Sequence, residues 1–305
     1  MRAASIGAHF AIGIRNQTNS FLLSYHHWRW VNILKHFFDN HELNLTLELF
    51  LRMLHEELGD HLLSVVLYGS ILFDDLAPGY GDLDFLAVLD SDLSEEQLER
   101  LIELRRPLRQ QNFGLYAKML EGAYLPKAML DPTRSGRGLW WGTSRERALQ
   151  RNELGAFVLR LTKDMGITIW GNDLRAEIPA IRHDEMFTEA EKWCHTVEEH
   201  GVGGGLHSID WLLSNARMIR WLQDGQFCSK SDAADWGAAQ LHGDWRLLLP
   251  KAKRLRREPS LASSPEVKEW LIGLTDPIRE SARELRLHLY KQRDKLGVVN
   301  DPCNK

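Results

Sequence analysis

Two short apolar runs, SVVLY at 64–68 and DLDFLAVL at 82–89, bracket a stretch that opens on Gly69-Ser70 and closes on Gly81. Runs this short, β-branched and apolar fit strands covered on both faces. The polar residues stand at their ends. Gly69 lets the backbone approach a phosphate closely. Ser70 offers a hydroxyl, and a helical turn after it would present free N–H groups and a positive dipole end. After eleven intervening residues, Asp82 and Asp84 project from one face of the second strand, because side chains i and i+2 share a face. Two carboxylates that close repel unless a cation lies between them. Mg²⁺, a hard ion that takes carboxylate and phosphate oxygens together, suits the pair and would orient a nucleotide triphosphate.

The remaining pattern divides the chain. Leu47, Phe50, Leu51, Leu54 and Leu58 fall at helical spacing over 45–58, and 94–106 reads as a helix with Ser94 as its cap. Residues 117–125 read as a third strand, 131–142 as a loop carrying Trp140-Trp141, 144–161 as a helix and 167–170 as a short strand. Beyond about 180 the strand signals stop. Residues 188–200, 206–224, 229–241, 245–257, 264–274 and 276–296 all read as helices. The expected organisation is an N-terminal extension over 1–44, an α/β domain with a small mixed sheet over 45–180, and a helical bundle over 181–300. A substrate cleft is expected between the last two.

Composition narrows the function classes. The formal net charge of -4 supplies no global field for nucleic acid, and no stretch of about 18 apolar residues predicts a membrane span. Cys194, Cys228 and Cys303 are odd in number and widely spaced, which predicts reduced thiols in a cytoplasmic protein, without a disulfide framework or a zinc site. The first 38 residues hold Arg and Lys but no acid; an extension ahead of the domain is favoured over a transit peptide. HHWRW at 26–30 has no third spaced ligand and is set aside as a metal site.

LYGSILFDDLAPGYGDLDFLAVLD at 67–90 resembles the Gly-Ser…Asp-x-Asp signature of the DNA polymerase beta-like nucleotidyltransferase superfamily. SNARMIRWLQDGQFCSKSDAADW at 214–236 is similar to a segment of the streptomycin- and spectinomycin-type aminoglycoside adenylyltransferases within it. The resemblance implies that Asp82 and Asp84 hold Mg²⁺, that Gly69, Ser70, Arg217 and Lys230 hold ATP phosphates, and that Glu121 is the general base. From the residues alone, Glu121 is an acid in an apolar strand, which needs either a task or a solvated edge. Arg217 and Lys230 alone would read as solvated bases.

The resemblance further implies transfer of AMP from ATP to a hydroxyl of a small polycationic acceptor, with release of pyrophosphate. A protein side chain, another metabolite, or a non-catalytic nucleotide-binding role are the alternatives. Gly81 stands where the family has Ser. His207 and Asp210 fall where the family faces its antibiotic, and Arg256 falls where it has Tyr. Arg256 lies in the run Lys251, Lys253, Arg254, Arg256, Arg257, expected to be mainly a solvated face. Trp141 is a candidate stacking platform for the acceptor, with a core position as the alternative.

Overall fold

The computed structural model describes residues 34–110, 113–142 and 145–296. The extension reading over 1–33, the HHWRW run and Cys303 lie outside them. All described residues belong to one compact unit that starts at Leu34.

Helix α1 (His41–Leu58) is capped by Asn40, whose side chain accepts from Leu43 N at 3.0 Å. It starts before the apolar spacing begins, because the cap and not the hydrophobic stripe sets the first turn. Strand β1 (Leu62–Tyr68) follows, then a single 3₁₀ turn (Gly69–Phe73), then β2 (Leu83–Leu89). Helix α2 (Glu95–Gln110) opens with Ser94 and Gln97 satisfying each other's backbone N–H groups at 3.1 and 2.9 Å. It carries the chain over to β3 (Leu120–Pro126), which runs parallel to β2, as a crossover connection allows.

Three sequence readings change here. Residues 115–119 form a short helix α3 (Leu115–Met119), so the third strand begins only at Leu120. The expected loop over 131–142 contains strand β4 (Ser135–Trp141), and the expected helix over 144–161 divides into β5 (Glu146–Arg151) and α4 (Ala156–Met165). β4 and β5 form an antiparallel hairpin at the sheet edge. Their Arg- and Gly-rich sequences carry little β propensity, and pairing of β4 with β3 and of β5 with β4 imposes the strands. β6 (Ile167–Gly171) completes the mixed sheet in the order β5-β4-β3-β2-β1-β6.

From His183 onward every regular element is helical: α5 (His183–His200), α6 (Ser208–Asp224), α7 (Lys230–Gln240), α8 (Leu249–Arg257), α9 (Pro265–Ile272) and α10 (Thr275–Leu296). Ser229 caps α7, accepting from Asp232 N at 2.8 Å. Asn215 of α6 ties the bundle centre, receiving Trp193 Nε1 at 2.7 Å and donating to Ser281 Oγ at 2.7 Å. Such satisfied buried groups fix helix register where apolar packing alone would tolerate slippage.

The alternation of β2 sends its residues to two different cores. Phe85 faces Phe50, Tyr124 and Trp141 beneath α1. Leu86 and Val88 face the other way, into one continuous core with Tyr68, Ala123, Leu125 and the helices from 183 onward. Asp84, two residues before Leu86, is therefore on the face that the helical half covers. No helix among the described residues is long and apolar enough to cross a membrane. Cys194 and Cys228 are buried free thiols.

Candidate active site

β1 stops at Tyr68 because Gly69 takes φ +78, where a side chain would be strained. Space also requires the glycine: a Cβ there would lie 2.0 Å from Asp84 Oδ2. The backbone of the turn and the Asp84 carboxylate are thus in direct apposition. The turn ends on Asp74 in the left-handed region at φ 50, a conformation Asp tolerates better than most residues.

Strand register aligns the site. Asp84 pairs with Tyr68 on β1 and with Glu121 on β3, so Tyr68, Asp84 and Glu121 form one row across three strands. Asp82 precedes Asp84 by two and joins that face. Burial, then Glu121, raises the Asp82 carboxyl to about 6; burial, then Asp82 and Glu121, raises Asp84 to about 8. The Tyr68 hydroxyl is also pushed up, first by burial and then by Asp84, Glu121 and Asp82. Lys230 opposes both Asp shifts, and Arg217 also opposes that of Asp84, so these two cations of the helical half act on the acidic row.

At neutral pH and without a cation the Asp82–Asp84 pair shares about one proton. Both carboxyls sit above the ordinary 3.8, so the folded chain binds more protons than the unfolded one between about pH 4 and 8. Metal-free stability is therefore expected to fall as pH rises through that window. Mg²⁺ has to displace the proton, so its affinity is expected to climb with pH, by at most about tenfold per unit for one proton released. Thermal unfolding from pH 5 to 9, in chelator and in MgATP, measures both. Chelated protein that grows more stable toward pH 8 would contradict this reading.

The opposite wall comes from α6 and α7. Burial pulls the Arg217 guanidinium and the Lys230 ammonium down, and Asp210 works against both shifts. Lys230, the first residue of α7, donates to Asp210 Oδ1 at 2.5 Å. Asp210 also receives the Tyr80 hydroxyl, and His207 Nδ1 lies 3.6 Å from Asp210 Oδ2. Burial pushes the Asp210 carboxyl up, but Lys230, Tyr80 and His207 outweigh it and hold it below the ordinary value. His207 stacks on Tyr80, with ring centroids 5.0 Å apart and planes 19° apart. His207 and Asp210 thus meet the polar stretch before Asp82. Tyr80 was absent from the sequence reading; its nearness to Asp82 was visible, but its partner is 130 residues away.

Trp141 requires correction. It is fully buried behind the sheet, edge-on to Phe85 and Tyr124. It therefore offers no surface for stacking. The preceding residue, Trp140, pairs with Ala123, which lies on the Glu121 face, and it is half-buried against the core shared with the helical half. One position along a strand reverses the face. In the basic run over 251–257, Arg254 and Arg257 are exposed as expected, and the departure is at Arg256. Lys251 lies over the Trp270 ring, Lys253 pairs with Asp235, and Arg256 is buried against Asp75.

Among the described residues no group of three or more Asp, Glu, His or Cys stands ready to enclose a metal ion. Asp82 and Asp84 alone still fit Mg²⁺, which is commonly held by one or two carboxylates and completed by phosphate oxygens and water. Their elevated proton affinity comes first from burial and then from the neighbouring carboxylates, and a cation would offset both.

Residues 182–274, which carry His207, Asp210, Arg217 and Lys230, match the family model "aminoglycoside adenylyltransferase, C-terminal domain". That match lies within the helical half. Among solved structures the fold is similar to spectinomycin adenyltransferase AAD(9) from Enterococcus faecialis, a structure determined with ATP and spectinomycin. The TM-score is 0.59 and the identity 17%, with 80% of this chain and 98% of that chain covered. No curated protein matches the sequence. Adenylyltransferase family and fold together class the chain as a nucleotidyltransferase.

Proposed function

We propose that the chain transfers AMP from ATP to a hydroxyl of an aminoglycoside of the streptomycin or spectinomycin type, releasing pyrophosphate. One observation carries this reading: the Asp84–Glu121 row, with Asp82 beside it, faces Arg217 and Lys230 from the adenylyltransferase-type half. An acidic row can hold a cation and take a proton, and the opposed bases can hold a triphosphate.

Asp82 and Asp84 would hold Mg²⁺, which when bound neutralises charge on the phosphoryl group being transferred. The Gly69-Ser70 turn lets the backbone come close to the phosphates. Arg217 and Lys230 bind phosphate oxygens from the opposite side and align the leaving pyrophosphate. Glu121, next to Asp84 on the neighbouring strand, accepts the proton of the attacking hydroxyl. On the acceptor side, Asp210, already met by Lys230 and Tyr80, is the carboxylate that an incoming ammonium group would share, His207 and Tyr80 form a stacked wall, and Trp140 replaces Trp141 as the flat surface. Glu121 and Asp210 suit a cationic guest, since complementary charge steers encounter. In the related AAD(9) structure the ligands are ATP and spectinomycin, in keeping with this assignment.

The test is direct. Protein incubated with MgATP and streptomycin or spectinomycin is expected to yield the drug heavier by one adenylyl group in the mass spectrum, with one pyrophosphate per transfer. Absence of adduct with a full aminoglycoside panel would refute the acceptor. Label from ATP appearing on lysate protein instead would assign a protein acceptor.

A further inference from the structure

Asp75 follows the phosphate turn by two residues, in the stretch Leu72–Leu76, and its side chain is 4% exposed. A buried carboxylate is tolerated only when its charge is met and its lone pairs are used. Among the described residues, the partners of the Asp75 carboxylate come from the helical half. Ser231, the residue after Lys230, donates to it twice, from Oγ at 2.6 Å and from the backbone N at 3.2 Å. Arg256 Nη1 lies 3.1 Å from Asp75 Oδ2, and Arg257 Nη2 lies 3.8 Å from Oδ1. Arg256 Nη2 also donates to the Asp75 carbonyl at 2.7 Å. The carboxylate thus sits on the first turn of α7, where helix N–H groups and the dipole favour an anion. It reaches across 156 and 181 residues of sequence to do so.

The contact has a consequence for the reaction site. Asp75 N donates to Ser70 O at 3.1 Å, so the anchor is part of the phosphate turn itself. On the other side, Ser231 adjoins Lys230. Arg256 is close enough to Lys230 and Arg217 that it depresses the proton affinity of both.

We infer that Asp75 is a positioning residue: by docking the first turn of α7 and Arg256 onto the turn after Ser70, it assembles the two phosphate-binding walls before ATP arrives. The inference rests on the proposed function for the identity of the ligand, but its structural part does not. Elsewhere in such sites, ligand binding itself can supply the closure; here an internal carboxylate supplies it. An Arg at 256 then serves where a Tyr could not, because it brings charge to a buried carboxylate.

Full-length wild type, Asp75→Asn and Arg256→Lys are compared in two measurements. The first is MgATP affinity by calorimetry alongside steady-state kinetics. Asp75→Asn is expected to weaken MgATP binding and raise KM for ATP about tenfold, about 1.4 kcal/mol, while kcat at saturating ATP falls less than about threefold. Arg256→Lys keeps the charge but loses the fork geometry, and is expected to lie between the two. The second is small-angle scattering without ligand. Asp75→Asn is expected to have a larger radius of gyration than wild type and to contract to the wild-type value with MgATP, whereas wild type stays constant. A variant that melts earlier yet keeps wild-type KM and radius would overturn the inference, because Asp75 would then be structural only. If Asp75→Asn does not fold, Arg256→Lys and Ser231→Ala carry the same two measurements, and wild-type values for both would overturn it. Wild type that binds no MgATP would refute the proposed function; the ligand-free scattering comparison would still decide for or against the docking role.

Discussion

Asp84→Asn is expected to reduce AMP transfer by about a thousandfold at saturating MgATP, without lowering the stability of the metal-free protein. The two halves of this expectation come from the same geometry. Asp84 lies against Gly69, opposite Tyr68 and beside Glu121, with Asp82 two residues away. In the absence of a cation its charge is disfavoured, and the carboxyl is raised to about 8. A neutral amide of the same shape therefore removes a repulsion when the site has no metal and removes a ligand when it does. Thermal unfolding in chelator should show equal or higher stability for the variant, while the Mg²⁺-dependent rise seen in wild type disappears. A variant that retains Mg²⁺-dependent ATP binding, or that unfolds much earlier in chelator, would show that Asp84 is a structural acid rather than part of a metal site.

Glu121→Gln is expected to lower kcat by about 10²–10³-fold, the range for loss of a general base, with MgATP affinity retained. The side chain shares the acidic row but lies one strand farther from Asp82, in register with Asp84. The amide preserves size but removes the charge and the capacity to accept a proton. Equal losses in MgATP affinity and in kcat would instead assign Glu121 to the metal, and an unchanged kcat would exclude it from proton transfer.

Much of this arrangement was legible in local sequence. The apolar runs before Gly69 and after Asp82 specify strands by composition, and the period-2 alternation places Asp82 and Asp84 together. The helices beyond residue 183 follow from apolar spacing and from caps such as Ser229 and Ser264, each of which accepts a backbone N–H of its helix. The hairpin of β4 and β5 was not legible, because 135–151 is rich in Gly and Arg and becomes strand only as β4 pairs with β3 and β5 with β4. The choice between Trp140 and Trp141 was likewise beyond sequence. Two adjacent tryptophans in a strand must face opposite ways, and only the register with Gly122 and Ala123 says which way.

The chain by itself determined the pieces whose causes are local: a glycine where φ must be positive, two acids one residue apart on a strand, a serine ahead of each of several helices. Tertiary structure decided what depends on groups far apart in sequence. It set Glu121 beside Asp84, brought Tyr80 to Asp210, and buried Asp75 against Ser231 and Arg256. The physical reason is that a charge or a hydroxyl has no fixed partner in an extended chain. Whether it ends as a solvated group, a ligand or an anchor is settled only when burial removes water and leaves a particular neighbour to replace it.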